Sequence, residues 1–386
     1  MVNKNPGRIE RIAVFSVSAG SGHVRAAQAL QAAAVRWYPG VEVVHIDLMD
    51  LVPKLFRTIY TETYIKLVEQ HPALWGYLYD KTDREKLDSS LSRLRKTIET
   101  INTRKLKNVL NDIAPDHVIC THFLPAQLLS RRIRKGKFHQ PVWVQVTDFD
   151  MHALWVHKGM SGYFAAHDEL AMRMTERGIP AKQVHISGIP IMPAFTGSLS
   201  RTECSRELGL DPLRKILLMM SGGAGLGDSL KLAERLLNLG GDFQIVVLAG
   251  NNEKQLKKLR TLSGHHPGRL FPFGFINTVE RVMAASDLAI TKPGGLTSSE
   301  CLAMGLPMII VSPIPGQEER NADYLLEQGA ALKACDANAV AWRVNLLLDK
   351  PEQLENMREK ALHLGRPDSA RRVLDTVLGR TTGATV

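Results

Sequence analysis

The chain of 386 residues is long enough for two domains of ordinary size, each with its own core. With 44% hydrophobic and 23% charged residues it has the composition of a folded globular protein, not a disordered one, and no run nears the roughly 18 apolar residues that a membrane span needs. A net charge of +10 asks for an anionic partner; the basic residues are dispersed and no nucleic-acid module is present, which leaves an anionic membrane surface or an anionic substrate and no nucleic acid.

The N-terminal string MVNKNPGRIERIAVFSV reaches Gly20 and Gly22 too soon to be a secretory segment. Cys120, Cys204, Cys301 and Cys335 have no metal-ligand spacing, so reduced thiols in the cytoplasm are expected and no metal site. The β-branched run Arg11–Ser18 predicts a first strand. It meets the glycine-rich turn Ser18–His23, and from Val24 the spacing of Val24, Ala27, Leu30 and Ala34 predicts a helix ended by Tyr38-Pro39-Gly40. His23 sits where the helix dipole disfavours imidazolium, so its ring suits a general base, or else a capping or exposed histidine. Glu42–Asp47 predicts a second strand. Pro53–Asp80 gathers Phe56, Tyr60, Tyr64, Trp75, Tyr77 and Tyr79 among Lys54, Arg57, Lys66 and Lys81. Rings beside cations suit a bilayer interface, and equally a helical insertion with its aromatics in the core. Leu87, Leu91, Leu94, Ile98, Ile101 and Leu106 then mark an amphipathic helical stretch with a solvated basic face.

His117–Thr121 and Val142–Thr147 predict further strands, with the basic residues Arg131, Arg132, Arg134 and Lys135 on the helix between them. Asp148, Asp150, His152, Trp155 and His157 follow at once. Lacking the separation of a zinc pattern, they read as a substrate-site loop at the carboxyl edge of a sheet. After a short strand at Val184–Ile186, Ser187–Pro193 is rich in glycine and proline and marks the domain boundary. The second half repeats the pattern. Lys215–Met220 is a strand, and the loop Ser221–Gly227 suits a phosphate although it is no Walker motif. Phe243–Ala249, Leu270–Phe273 and Leu288–Ile290 extend that sheet. The last of these breaks at Pro293-Gly294-Gly295, after which Thr297 and Ser298 open a helix stopped by Gly305 and Pro307. A helix start bared by glycines offers N–H groups to a diphosphate, and Glu300 in the first turn can accept hydrogen bonds from ribose hydroxyls. Pro307–Val311 predicts one more strand, running to a helix whose start is crowded by Gln317, Glu318, Glu319, Arg320 and Asn321. Helical stretches follow around Leu346, Leu354 and Leu374, and fraying is expected after Gly379.

The strings GSGHVRAAQAL, TDFDMHALWVH and ITKPGGLTSSECLAMG, in that order along nearly the whole chain, resemble the family of monogalactosyldiacylglycerol synthases and bacterial processive diacylglycerol glucosyltransferases. The resemblance implies an α/β protein of two Rossmann-like doubly wound domains facing a cleft, the GT-B fold. Residues 1–188 would be the acceptor (lipid)-binding domain, 189–365 the UDP-sugar donor domain, and 366–386 a C-terminal helix returning to the first. It implies an inverting transfer of a hexose, glucose rather than galactose, from a UDP-sugar to diacylglycerol, with His23 as base and Gly22, Asp148, His152 and Trp155 shaping the acceptor cleft. Gly222, Gly223, Ala224, Gly294, Gly295 and Leu296 would hold UDP, with Phe273 and Phe275 at the uracil, Glu300 on the ribose and Gln317 and Glu318 on the sugar. No metal is obligatory in this scheme, Mg²⁺ dependence is left open, and the enzyme would be cytoplasmic and bound peripherally to the inner face of the cell membrane. Three other activities share the fold or the pocket: N-acetylglucosamine transfer to the peptidoglycan lipid intermediate, UDP-sugar 2-epimerisation, and non-catalytic UDP-sugar sensing.

Overall fold

A computed structural model of the protein describes residues 8–18, 20–52, 57, 76–77, 81, 83, 103–220 and 229–380. The chain divides into two compact units, one of residues 1–193, 314–317 and 368–386, the other of 194–313 and 318–367. The proposed interfacial aromatics Phe56, Tyr60, Tyr64, Trp75 and Tyr79, the Leu87–Ile101 stretch and the loop holding Gly222, Gly223 and Ala224 lie outside the described residues. Tyr77 is described and exposed, with the Lys81 ammonium 6.0 Å from its ring centre. Among the described residues no helix is long and apolar enough to cross a membrane.

The first unit is built on β1 (Glu10–Ser16), β2 (Val41–Asp47), β3 (His117–Cys120), β4 (Val142–Gln145), β5 (Gly162–Ala165) and β6 (Val184–Ile186), all parallel in the order β2-β1-β3-β4-β5-β6. Its connections include helices α1 (Ser21–Trp37), α2 (Thr103–Ile113), α3 (Phe123–Arg134) and α4 (Asp168–Glu176). Ile12 to Phe15 are wholly buried, as a parallel strand covered on both faces requires. Arg131, Arg132 and Arg134 occupy the last turn of α3, where cations complement the negative end of the dipole.

The second unit holds β7 (Lys215–Met220), β8 (Phe243–Leu248), β9 (Leu270–Phe273), β10 (Leu288–Thr291), β11 (Met308–Val311) and β12 (Ala331–Ala334) in the parallel order β12-β11-β10-β7-β8-β9. Helices α5 (Arg201–Glu207), α6 (Ser229–Leu237), α7 (Glu253–His265), α8 (Val279–Ala285), α9 (Gly295–Ala303), α10 (Gln317–Glu327), α11 (Ala337–Asp349) and α12 (Pro351–Leu364) lie along its chain. The carboxylate of Asp287, almost fully buried just before β10, accepts from the Ile216 N–H at 2.9 Å and from Arg201 at 2.9 Å. Lys215 at 3.2 Å and Arg358 at 3.8 Å also face that buried charge, and the bonds to Ile216 and Lys215 tie the start of β10 to β7 beside it.

The last helix, α13 (Ser369–Val377), belongs to the first unit. Its Ala370, Val373, Leu374 and Val377 enter one core with Ile12, Val14, Leu30 and Val43, and the Tyr38 hydroxyl donates to Asp375 at 2.8 Å. The first unit runs on to Pro193, past the Gly188 expected from the sequence. Ile189 and Ile191 are buried there, and the Ile191 N–H donates to Ser369.

Both sheets change winding direction once, between β1 and β3 in the first and between β7 and β10 in the second. At such a point the loops leaving two neighbouring strands run to opposite faces, and the gap at the carboxyl ends is where doubly wound sheets take ligands.

Candidate active site

In the first unit the segments after β1 and after β3 flank that gap. His23 is the third residue of α1, with Gly22 before it in the same turn. Its Nδ1 lies 2.9 Å from the Thr121 carbonyl and 2.8 Å from the Thr147 hydroxyl oxygen. A carbonyl can only accept, so Nδ1 carries the ring proton, the Thr147 oxygen shares it as a second acceptor, and Nε2 keeps its lone pair. The Thr121 hydroxyl in turn donates to the His23 carbonyl at 2.9 Å, closing a reciprocal clamp between α1 and the end of β3. Burial pushes the His23 imidazole down to about 4, against a smaller raising effect of the Thr121 carbonyl. The ring is therefore neutral near pH 7, with no hydrogen-bond partner for its basic nitrogen among the described residues.

His122 stands edge-on to His23, with ring centres 4.6 Å apart. Its Nδ1 accepts from the Leu124 N–H at 3.1 Å, capping α3, so its proton sits on Nε2. Burial, with His23 beside it, holds His122 well below the ordinary histidine range. The Trp155 ring lies 6.3 Å from His23 and 6.2 Å from His122, and Phe123 packs on His122 at 4.1 Å. Thr121, His122 and Thr147 are site residues that the sequence reading does not single out. Thr121 and His122 come just after β3 and Thr147 two residues after β4, and only the strand order, with β3 beside β1 and β4 next in line, brings them to His23.

The loop after β4 supplies the other expected residues. Trp155 is buried in the wall just described. His152 is buried and caps the short turn Ala153–Trp155 by accepting from the Leu154 N–H, and so orients the tryptophan. Asp148 is buried and accepts from the Gln317 amide at 2.7 Å, both residues belonging to the first unit. Asp150 instead pairs with Arg173 at 3.2 Å.

In the second unit β10 delivers Pro293 and Gly294, and α9 begins at Gly295, two residues earlier than its pattern suggests, because the Ser298 N–H already bonds to the Gly294 carbonyl. Glu300 is consequently in the second turn and not the first; it and Leu296 are both buried. The N-cap position has no side-chain cap, which leaves the first N–H groups of α9 without an intrahelical partner. Gly294 has φ −67°, a conformation open to any residue, and a Cβ added there would meet nothing within 4 Å. Neither backbone nor packing calls for glycine at 294, so what remains is clearance for something that approaches the turn. Asn321 of α10, fully buried, donates to the Pro293 carbonyl at 3.1 Å and fixes that turn. Glu318 is in the first turn of α10, while Phe273 ends β9 half-buried and Phe275 beyond it is exposed.

Residues 23–191 match the family model described as monogalactosyldiacylglycerol (MGDG) synthase, and residues 220–363 that of glycosyl transferases group 1. The processive diacylglycerol beta-glucosyltransferase of Bacillus pumilus (strain SAFR-032) is 29% identical over 362 residues, 92% of this chain and 91% of that protein. Its namesake in Bacillus cereus (strain AH187) is 29% identical over 380 residues, 97% of this chain and 94% of that protein. Among solved structures, the MurG protein of Acinetobacter baumannii superposes with a TM-score of 0.63 at 16% identity, covering 96% of this chain and 99% of that one. The UDP-GlcNAc 2-epimerase of Neisseria meningitidis, solved with UDP-GlcNAc, superposes at 0.59 and 14% identity, covering 96% and 100%. Likeness at such identity speaks for the fold alone. The two matched domains in this order, and relatives of one description over almost the full length, show a chain with a monogalactosyldiacylglycerol synthase-type domain followed by a group 1 glycosyl transferase domain, similar throughout to the processive diacylglycerol glucosyltransferases and built on the two-Rossmann-domain fold.

Proposed function

We propose that this protein moves a hexose, glucose in preference to galactose, from a UDP-sugar to the free hydroxyl of diacylglycerol, with inversion to a β-glycoside. The observation that carries the reading is His23: a neutral imidazole clamped through Nδ1 at the sheet's turning point, its Nε2 lone pair without a hydrogen-bond partner among the described residues. In the proposed step Nε2 takes the hydroxyl proton while that oxygen bonds to the anomeric carbon. The bond from that carbon to the UDP oxygen breaks on the opposite face, and its electron pair leaves with the diphosphate. The start of α9 supports this, since uncapped N–H groups and the dipole's positive end suit the charge that builds on the leaving group. The glycines of 222–223 and Ala224 would add backbone donors, Glu300 would hold the ribose, Phe273 and Phe275 the uracil, and Gln317 and Glu318 the sugar hydroxyls. Asp148, His152, Trp155 and Gly22 would shape the acceptor site. No metal is assigned a role. The excess positive charge and the lipid acceptor suit a protein bound at the inner face of the membrane without crossing it.

The test is transfer from labelled UDP-glucose or UDP-galactose to diacylglycerol in anionic liposomes, with His23→Ala alongside. A lipid-soluble labelled product is expected, with the variant slower by roughly 10²–10⁴-fold while UDP binding persists. Binding of UDP-sugar without labelled lipid would overturn the acceptor assignment, and an undiminished His23→Ala rate would remove the base.

A further inference from the structure

The proposed reaction leaves one conspicuous group without work. His122 is buried, polar, and in ring contact with His23, yet it cannot be the base: its Nδ1 is spent on the Leu124 N–H, and protonating that nitrogen would break the cap of α3. An N-cap needs only an oxygen or nitrogen acceptor on a short side chain, and asparagine, aspartate or serine does that at least as well. Histidine at this position brings a flat ring, and the structure shows where the ring goes. It packs at a tilt against Phe123, ring centres 4.1 Å apart, lies 6.2 Å from Trp155, and meets His23 at 88°. The cap holds His122 by one end and the two aromatics hold it from its sides, so its position is fixed independently of His23.

His23 itself is held less completely. Its two hydrogen bonds both run to Nδ1, and small coupled changes of χ1 and χ2 still let the ring pivot so that Nδ1 stays near its acceptors while Nε2 swings. A second contact away from Nδ1 removes the pivot. We infer that His122 is a positioning residue for His23: its capped and immobilised ring stops the pivot, aims Nε2 of His23 and keeps water from that side of the base. The inference deepens the reading of His23 as base and rests on it. His122 is the titratable group in recorded ring contact with His23; Thr121, Thr147 and Trp155, contributed by the other segments around it, do not titrate in the working range.

Two substitutions separate ring from cap. His122→Asn keeps an acceptor for the Leu124 N–H and removes the ring; His122→Phe keeps a ring and removes the acceptor. For the asparagine variant we expect kcat to fall about tenfold with the UDP-sugar KM unmoved, melting close to that of the parent, and His23 titrating higher, away from about 4 and toward 6.5, because water reaches it. The phenylalanine variant should melt earlier but recover most of the lost kcat. His23 titration is read from ring ¹⁵N shifts of labelled protein, its signal being the one missing from His23→Ala. An unshifted His23 titration in His122→Asn overturns the inference whatever the rate does, as does a phenylalanine variant that is as slow as the asparagine one. If His23→Ala stays active, the base assignment falls by itself, and the shift in titration still decides whether His122 positions the ring.

Discussion

Thr147 shows how much of this chemistry depends on a single hydroxyl. Its oxygen is the second acceptor for the His23 Nδ1–H, and valine would keep the shape while leaving the Thr121 carbonyl alone with that proton. One net hydrogen bond is worth about 1 kcal/mol, so Thr147→Val should lower kcat roughly fivefold with little change in donor KM, read from initial rates. The depressed His23 fixes the pH behaviour as well. A base must be unprotonated, so kcat/KM should hold level from pH 8 down to about pH 5 and fall only as pH approaches the value of about 4. Stability follows the same sign. The folded value lies below the unfolded one of roughly 6.5, so the contribution is complete above pH 6.5 and is lost as pH falls from there through about 4, which acid titration of unfolding would show. At this scale the sequence discloses His23, because a glycine turn and a helix start surround it. It is silent about Thr121, His122 and Thr147, whose part depends on β1, β3 and β4 lying side by side in that order, a matter of strand order that no local pattern encodes.

At the next scale, two glycines at either end of α9 do opposite work. A Cβ at Gly294 would enter open space, whereas one at Gly365 would come within 2.6 Å of the Leu302 carbonyl oxygen, where α12 ends against α9. Gly294→Ala should therefore fold and melt like the parent while raising the UDP-sugar KM, measured by donor titration. Gly365→Ala should instead cost about 1–3 kcal/mol in denaturant unfolding, since backbone cannot step aside as a side chain can. Most strands are legible because short apolar runs stop at glycine or proline. Gly162–Ala165 and Ala331–Ala334 are not: each is four residues long, and neither holds any of the β-branched residues that mark β8. At Gly162 the glycine serves packing, since a Cβ would come within 2.5 Å of the Trp143 ring on β4. The start of α9 is misread for a related reason. Gly295 looks like turn but is already helical, which moves Glu300 into the second turn.

For the molecule as a whole, the first unit is finished by α13, a segment that returns from the far end of the chain. Val373, Leu374, Val377 and Leu378 are buried in that unit. At roughly 1.5–3 kcal/mol for each buried apolar side chain their burial is worth about 6–12 kcal/mol, comparable to the entire stability of an ordinary domain, about 5–15 kcal/mol. A protein cut after Pro367 should accordingly lose cooperative unfolding of the first unit, seen as collapsed hydrogen-exchange protection in β1 and β3, and recover it when the peptide 368–386 is added. The same return sets an order of events during synthesis. The sheet that carries His23 emerges early from the ribosome, but the helix that seals it follows only after residues 194–367 have been made. At roughly 5–20 residues per second the nascent sheet waits about nine to thirty-five seconds with the apolar side of α1 uncovered, a window in which that face is open to misassembly.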